Sequence, residues 1–328
     1  MNSLRVSTGA RLHFGLILTA SGRAHHYGGV GLMVRSPGWD VEVSRSVDTD
    51  RFDAEPSTRQ RLSRLLRNLR SCDPVIPPLQ IRIRRVLPAH TGLGSGTQLS
   101  IAITCAAVAL THPGSTPAAE QIVGMSGRSE RSAIGSAGFF EGGFLVDRGT
   151  ASNSPRVESL QVPIAWRFLL LRPVAHQGMS GVEETQWFDK RPEMPVATAE
   201  ILATLATQRL PETLQREDFV GWASAIEEYG DLAGGFYAAV QEHIISHPAM
   251  RTVARQLRDA GVRGIAQSSW GPGICIPASD DDHAAWIAAR IPAVVDGHSL
   301  EFQLTSALNA GATISYPADD ITPGGTLC

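Results

Sequence analysis

The distribution of apolar and polar positions in the first third of the chain predicts strands interrupted by one amphipathic helix. Two β-prone runs, LRVSTGARLHFGLIL and VGLMV, are separated by SGRAHHYGG, and WDVEVSRS alternates as a half-buried strand does. Residues 57–70 place four leucines at helical spacing, and Ser57 or Thr58 is a suitable N-cap. LQIRIRRVLP alternates apolar residues with arginine and predicts a strand with one wet face. The apolar run TQLSIAITCAAVAL is long enough for a buried helix.

The remaining chain mixes helical and strand patterns. A helix is predicted at 117–126 and a strand in GGFLVDRG, whereas the polar segment 149–160 is interpreted as a loop that could mark the junction between two halves. Further strands are predicted in WRFLLLRPV, RGIAQSS, GICIPA, SLEFQL and ATISYP, and further helices at 195–208, 216–244, 247–260 and 281–290. The mixture is α+β, with antiparallel-type alternation in both halves. We divide it into an N-terminal part, 1–150, and a C-terminal part, 151–328.

Composition excludes several classes of protein. With 328 residues, 43% of them hydrophobic, the chain can form one large domain or two halves that share an interface. A net charge of −3 provides no basic field for nucleic acid or anionic lipid, so a phosphorylated substrate would need a local anion site. The cysteines have no metal-ligand spacing, and Cys105 and Cys275 are expected in the core as reduced thiols. The sequence has neither signal-peptide features nor a long apolar span, so we expect a cytoplasmic location.

The most informative segment is PAHTGLGSGTQ, which lies between a predicted strand and a predicted helix. Its glycines, Gly92, Gly94 and Gly96, allow positive φ angles and a close approach of the backbone to a bulky anion. Ser95 and Thr97 supply hydroxyls, and the helix that begins there offers unpaired N–H groups and a positive dipole end. The segment therefore predicts a phosphate or diphosphate site without a Walker lysine. The alternative is a tight strand-to-helix turn with an ordinary Ser/Thr cap.

This segment resembles the second motif of the GHMP kinase superfamily, P-x3-GLGSS-[AS], whose loop wraps nucleotide phosphates. ARLHFGLI with GGVGLMV resembles the N-terminal substrate motif of that superfamily, and GIAQSSWGPG resembles its C-terminal glycine-rich motif. The three motifs occur in the family's order and span most of the chain. The resemblance implies a GHMP-kinase-like two-part fold, with an N-terminal part like ribosomal protein S5 and a C-terminal α/β sandwich, sharing one cleft.

The acid that many GHMP kinases use is missing. Those kinases carry it in a segment like SG-[IV]-D, and the counterpart here, GRSERSAIGSAGF, has Gly135 at the Asp position. Without that carboxylate, no obvious group orients or deprotonates an attacking hydroxyl. Some kinases of the superfamily lack the acid, so a small-molecule kinase using ATP and Mg²⁺ stays the alternative. A catalytically silent ligand-binding homologue is a third possibility.

The amino-acid sequences of the motifs are similar to those of the β-ribofuranosylaminobenzene 5′-phosphate synthase family. The matching elements are ARLHFGLI, GG-x-GL, H-x-GLGSGTQ and a GR…S-x-IG…F-x-GGF-x-VD run. Thr97 and Gln98 replace the small pair usual in the kinases, and Ala133 departs from the glycine usual in the synthases. The resemblance implies a homodimeric enzyme of tetrahydromethanopterin biosynthesis. Such an enzyme joins 4-aminobenzoate, or a related aromatic acid, to phosphoribosyl diphosphate and releases CO2 and diphosphate.

That reaction calls for anion-binding backbone, positive side chains and Mg²⁺, and the matching segments supply candidates for each. Catalytic roles are predicted for Arg11, His13, His90, Arg128 and Glu183. Substrate-binding roles are predicted for Gly28, Gly29, Gly92, Leu93, Gly94, Ser95, Gly96, Thr97, Gln98, Arg131, Ser132, Ser180, Gln267, Ser268 and Ser269. The acids available for Mg²⁺ are Glu130 and Asp147. Each assignment competes with a simpler one: the solvated face of a strand, arginines at a helix end, a plain turn, or surface charge.

Overall fold

The computed structural model describes residues 3–21, 24–128, 132–149, 157–174 and 193–316, with only the backbone of 19–21, 24–26 and 239–241. The strands are β1 (Ser3–Ser21), β2 (Ala24–Arg45), β3 (Arg51–Asp53), β4 (Leu79–Arg85), β5 (Phe144–Asp147), β6 (Val157–Leu160), β7 (Arg167–Pro173), β8 (Ala266–Gln267), β9 (Ile274–Ala278), β10 (Val294–Val295), β11 (His298–Thr305) and β12 (Thr313–Ser315). The helices are α1 (Pro56–Cys72), α2 (Ser95–Thr111), α3 (Ala119–Met125), α4 (Ile134–Glu141), α5 (Val196–Thr204), α6 (Leu210–Gln215), α7 (Phe219–Gln241), α8 (Pro248–Asp259) and α9 (Asp281–Ala288). A π-helical turn, Leu205–Arg209, joins α5 to α6.

The first sheet is built around a long antiparallel hairpin of β1 and β2. Its order is β12-β1-β2-β4-β3, and β5 and β6 extend it from the first half of β2. Among these pairs only β3 and β4 run parallel. The α2 helix lies against β1 and β2. Because its 17 residues include no charged side chain, almost every face of this helix can be buried.

The ladder between β1 and β2 is interrupted by a β-bulge. His13 pairs with Gly31 and Leu16 with Gly29, so two residues of β1 oppose a single residue of β2. Gly15, inside the bulge, has a φ of +136°, and a Cβ atom there would lie 2.3 Å from the Cβ of Ala233 on α7. A bulge bends a strand and changes the direction of its side chains. Here it redirects β1 immediately after His13.

The second sheet is antiparallel throughout, with the order β10-β11-β7-β9-β8. Successive side chains of β7 point to opposite faces. Leu169 and Leu171 join a core that also contains apolar residues of α8 and α9. Phe168 packs edge to face against Trp222 of α7, with ring centroids 6.1 Å apart. Both aromatic residues belong to the large core that also includes β1, β2 and α2, so the two sheets share one apolar interior.

The predicted α+β class is confirmed, and most predicted elements lie within a few residues of the observed ones. WDVEVSRS was expected to be a separate strand but is the end of β2, and SGRAHHYGG, expected to separate strands, belongs largely to β1 and β2. Part of the predicted loop 149–160 forms β6. That strand is half-exposed at every position and shows no hydrophobic alternation. The first helix begins at Pro56, with Glu55 as its N-cap residue instead of Ser57 or Thr58.

The division of the chain at residue 150 stays a prediction. Two strands from beyond that point complete the first sheet, since β6 pairs with β5 and β12 pairs with β1. Cys105 and Cys275 are buried, as expected. None of the described helices is long and apolar enough to cross a membrane.

Candidate active site

A cleft of about 740 Å³ brings together all three sequence motifs. The bulged part of β1, the polar face of α1, the glycine-rich loop and the segment around residue 268 form its walls. The predicted site residues that line it are Arg11, His13, His90, Gly92, Leu93, Gly94, Ser95, Gly96, Thr97, Arg128, Ser132, Gln267 and Ser269. Those that lie behind its walls are Gly28, Gly29, Gln98, Asp147 and Ser268. Those outside the described residues, whose roles stay predictions, are Glu130, Arg131, Ser180 and Glu183.

The glycine-rich loop has the backbone conformation that an anion site needs. Gly92 and Gly94 have φ angles of +81° and +70°, and Gly94 is the N-cap of α2. The first intrahelical bond runs from the N–H of Gln98 to the carbonyl of Gly94 at 3.1 Å. The preceding N–H groups of the helix therefore have no intrahelical acceptor, and they lie at its positive end. The hydroxyl of Ser95 was expected to face the anion, but it donates to the carbonyl of Leu87 at 3.0 Å and braces the loop.

Ser268 connects the three motifs. Its hydroxyl accepts a hydrogen bond from the backbone N–H of His13 at 3.1 Å and donates one to the carbonyl of Gly92 at 2.8 Å. The next residue, Ser269, donates its N–H to the carbonyl of His13 at 2.8 Å. Ser268 is buried and its hydroxyl already has two protein partners. The structure therefore gives Ser268 a linking role in place of the predicted contact with substrate.

His13 is the cleft end of a chain of hydrogen bonds. The N–H of Gly15 donates to its Nδ1 at 3.3 Å, which leaves the ring proton on Nε2. Nε2 lies 3.1 Å from the hydroxyl of Ser132, and that hydroxyl lies 3.4 Å from the carboxylate of Asp147. Burial, and then the nearby charge of Arg11, hold the pKa of His13 well below its ordinary value. His13 is therefore a neutral donor with both ring nitrogens engaged, which does not suit a general base.

Asp147 supports this chain from inside the protein. Its carboxylate is completely buried and accepts hydrogen bonds from the backbone N–H groups of Ala133 and Gly149 at 3.0 and 3.1 Å. Burial raises the pKa of this carboxyl, and these hydrogen bonds oppose the rise. The carboxylate thus faces protein donors and not the cleft. Its predicted role as a metal ligand stays a prediction, and within the described ranges no group of three or more His, Cys, Asp or Glu residues could hold a metal ion.

Gly28 and Gly29, predicted to bind substrate, instead allow close backbone packing behind His13. A Cβ atom on Gly28 would lie 2.8 Å from the carbonyl oxygen of Asp147. One on Gly29 would lie 2.7 Å from the carbonyl oxygen of Gly15 and 3.1 Å from Cε1 of His13. Larger residues at either position would displace the strand that carries His13.

Gln98 anchors the glycine-rich loop to its neighbours. Its side chain is completely buried, accepts a hydrogen bond from the hydroxyl of Thr8 at 2.7 Å and donates one to the carbonyl of Gly135 at 2.8 Å. The structure therefore corrects the prediction that Gln98 contacts substrate. Gly135, where the kinase acid would stand, lies beside the loop: a Cβ atom there would be 3.2 Å from Cγ2 of Thr97 and 3.6 Å from Nε of Arg11. A carboxylate at this position would lie beside Thr97 and Arg11, which line the cleft.

Sequence reasoning pointed to Trp270 in the third motif but missed its aromatic neighbour, Tyr237, and two arginines on α1. Tyr237 and Trp270 pack edge to face with ring centroids 4.9 Å apart, and both line the cleft. Arg61 and Arg64 also line it, opposite the leucine face of their helix. The available signal was the amphipathic pattern of α1, because both arginines lie off its leucine face. Gln267 lines the cleft too, and its amide accepts from the N–H of Ser246 at 2.7 Å.

Known proteins resemble this chain in sequence. Residues 60–143, which include the glycine-rich loop and Gly135, match the family described as GHMP kinases N terminal domain. The chain is 26% identical over 297 residues to β-ribofuranosylphenol 5′-phosphate synthase of Methanothermobacter thermautotrophicus, covering 83% of this chain and 87% of that protein. It is 28% identical over 262 residues to the protein of the same name from Archaeoglobus fulgidus, covering 71% and 82%. The chain is similar to both synthases over most of its length.

The solved structures agree on the fold. Homoserine kinase from Cytophaga hutchinsonii superposes with a TM-score of 0.67 over 96% of this chain and 98% of that chain, at 17% identity. Identity at that level shows the fold alone. The GHMP-kinase-like fold and the resemblance to the synthase family are therefore both confirmed, and with them the prediction that the chain is an enzyme.

Proposed function

We propose that this enzyme transfers a phosphoribosyl group from phosphoribosyl diphosphate to an aromatic acid, with release of CO2 and diphosphate, in tetrahydromethanopterin biosynthesis. The homology with β-ribofuranosylphenol 5′-phosphate synthases supports the class of product. A ribofuranosylphenol carries a hydroxyl on its ring. The hydroxyl analogue of 4-aminobenzoate, 4-hydroxybenzoate, is therefore the first acceptor to test, with 4-aminobenzoate beside it.

The reaction needs no change of oxidation state. The bond between C1 of the ribose and the diphosphate oxygen breaks, and its electron pair leaves with diphosphate. A π pair at the ring carbon that bears the carboxylate forms the new bond to C1. The bond from that carbon to the carboxylate then breaks, CO2 departs, and the pair restores aromaticity. The enzyme must stabilise the departing diphosphate and hold the ring carbon against C1.

The observation that carries the proposal is the composition of the cleft. The positive end of α2, with Arg11 and Arg128 nearby, lines the same cavity as the aromatic pair Tyr237 and Trp270. Helix N-termini and guanidinium groups bind phosphate oxygens, and aromatic faces pack against a planar ring. One cavity therefore offers a site for each half of the reaction. In place of the kinase acid beside the loop stands Gly135, which disfavours the alternative of an ATP-dependent kinase.

We expect Mg²⁺ to be bound to the diphosphate of the substrate and not to a site of its own in the protein. Mg²⁺ commonly binds substrate phosphates and retains several waters, so it does not need a protein cage of its own. The acids and histidines of the described ranges do not form such a cage, and the carboxylate of Asp147 is committed to protein donors. We assign no step to the metal. A homodimer stays the expectation drawn from the family, and a cytoplasmic location stays the expectation drawn from the sequence features.

The test is release of labelled CO2 from carboxyl-labelled 4-hydroxybenzoate and 4-aminobenzoate. We expect release from at least one acid that depends on phosphoribosyl diphosphate, with formation of diphosphate in equal amount. Reactions lacking phosphoribosyl diphosphate are the control. Steady production of ADP from ATP with a small alcohol, and no labelled CO2 from either acid, would establish the kinase instead.

A further inference from the structure

The α1 helix has an apolar face in the core and a polar face in the cleft. Its leucines, Leu62, Leu65, Leu66 and Leu69, pack into the large core. On another side of the helix, Ser57, Gln60, Arg61 and Arg64 line the cleft. Arg67 belongs to the same helix, but it is exposed and does not line the cleft. The helix therefore carries functional and ordinary surface arginines side by side.

Arg61 and Arg128 converge on the first turn of α2. A Cβ atom placed on Gly96 would lie 3.2 Å from Nη2 of Arg128 and 3.5 Å from Nη2 of Arg61. Because both distances are measured from the same point, the distance between the two Nη2 atoms is no greater than the sum of these two distances. Arg61 has no hydrogen bond or ion pair with any residue of the chain that the structure describes. Two guanidinium groups thus meet above the N-terminus of a helix.

This arrangement concentrates positive charge from three sources. Burial, and then the charge of Arg128, lower the pKa of Arg61 from its ordinary value, although a guanidinium stays charged at neutral pH. The end of α2 adds the partial positive charge of its unpaired N–H groups. Like charges held together repel one another, and the attraction of both to an anion placed between them offsets that repulsion. An anion with two adjacent charged groups can engage both guanidinium groups at once.

We propose that Arg61, with Arg128 facing it, forms a clamp for the diphosphate group of the substrate at the first turn of α2. The inference rests on the proposed function, because phosphoribosyl diphosphate is the diphosphate compound of that reaction. Diphosphate gains negative charge as its bond to the ribose breaks, so the clamp stabilises the departing group more than the bound substrate. Arg61 is therefore a specificity-determining and leaving-group residue that comes from outside the three motifs.

The experiment is calorimetric titration of inorganic diphosphate into the whole protein, with no aromatic acid present. We expect Arg61→Met to weaken binding about 10-fold or more and Arg61→Lys to restore only part of the loss, since an ammonium cannot form the planar fork. The matched control, Arg67→Met on the same helix, should bind diphosphate within about twofold of wild type. Circular dichroism checks folding. Should the Met variant misfold, Arg61→Gln replaces it.

Two further titrations distinguish the sources of the diphosphate group. Phosphoribosyl diphosphate should show the same dependence on Arg61 as inorganic diphosphate. If only ATP binding depended on Arg61, the clamp would serve a nucleotide and the assignment would be overturned. Equal affinity of Arg61→Met and Arg67→Met for diphosphate, or no binding by wild type, would also overturn it.

The clamp and the proposed function can fail separately. If wild type binds diphosphate through Arg61 but releases no CO2 from either aromatic acid, the reaction is wrong and the clamp stands. If CO2 is released and Arg61→Met retains both affinity and turnover, the reaction stands and the clamp is wrong. The kcat of Arg61→Met separates a leaving-group role from simple binding, because uniform binding alone would change only KM.

Discussion

Replacing Asp147 by Asn should destabilise the protein without any metal being involved. The carboxylate is completely buried. Its Oδ2 accepts from the N–H of Ala133 and the hydroxyl of Ser132, and its Oδ1 accepts from the N–H of Gly149. Asparagine has a single side-chain oxygen. Whichever way the amide turns, its NH2 group faces at least one buried N–H donor.

The expected loss of stability depends on the number of buried donors that are left without an acceptor. A buried donor left without an acceptor costs about 1–3 kcal/mol. Burial already raises the pKa of Asp147, so removing the charge offsets part of the loss, and we expect a net destabilisation of about 1–2 kcal/mol. In a protein of this size that lowers Tm by a few degrees, about 2 °C per kcal/mol. If the amide turns its NH2 group towards Ala133, Ser132 also loses the acceptor that orients it towards His13, and kcat/KM should then fall about 10-fold.

The assay is thermal melting of wild type and Asp147→Asn in EDTA and again in MgCl2, followed by steady-state kinetics. The exposed Asp48→Asn is the matched control for loss of one carboxylate and should melt as wild type does. If Asp147 supports His13, the difference in Tm is present in EDTA and unchanged by Mg²⁺. A variant that melts like wild type in EDTA and differs only when Mg²⁺ is added would make Asp147 a metal ligand and refute the reasoning.

Other consequences of the site are equally open to measurement. Gly94→Val should cost about 1–2 kcal/mol of stability, because φ is +70° and a Cβ atom would lie 3.1 Å from Cβ of Arg11. The same substitution should abolish diphosphate binding. Unaltered affinity for diphosphate, measured by calorimetry in a folded variant, would show that the loop is only a turn. The unfolded chain takes up a proton at His13 near pH 6.5 that the native protein excludes, so the free energy of unfolding should fall as the pH drops below that value, by up to about 1.4 kcal/mol per pH unit. When the free energy of unfolding from urea melts is plotted against pH, His13→Gln should show a slope that is shallower by one proton than that of wild type. An identical slope would contradict the lowered pKa of His13. Trp270→Ala should raise KM for the aromatic acid and leave KM for phosphoribosyl diphosphate within about twofold, because one loss of ring packing is about 1 kcal/mol. With Gly135 in place of an acid, no ADP should form from ATP and a sugar or mevalonate-like alcohol in a coupled assay, and steady turnover there would favour the kinase.

The sequence was most informative where structure depends on neighbours along the chain. The order of strand, glycine-rich loop and apolar helix predicted both the conformation of Gly94 and the start of α2, because φ angles and helix ends are decided locally. Arg11 and His13 were recognised through family wording, and both line the cleft. These predictions needed no knowledge of which segments meet in space.

Three side chains predicted to contact substrate share a different property. Ser95, Gln98 and Ser268 are polar side chains inside the right motifs, but their partners are other parts of the protein. A buried polar side chain must find a hydrogen bond, and the sequence does not distinguish a ligand from a distant carbonyl as the partner. Arg61 and Tyr237 were missed for the converse reason, since only tertiary packing turns their helix faces towards the cleft.

The pairing of β12 with β1 has a consequence for how the molecule is made. Residues 313–315 are the partners of Arg5, Val6 and Ser7, so the two strands come from opposite ends of the described chain. During synthesis on the ribosome, the outer edge of β1 stays without a partner until β12 has emerged, and such an edge invites pairing with other chains. The cleft also forms late, because the N–H of His13 donates to the hydroxyl of Ser268, which is synthesised much later. Contacts this far apart in sequence form slowly, so the ability to bind diphosphate should be among the last properties that a refolding chain acquires.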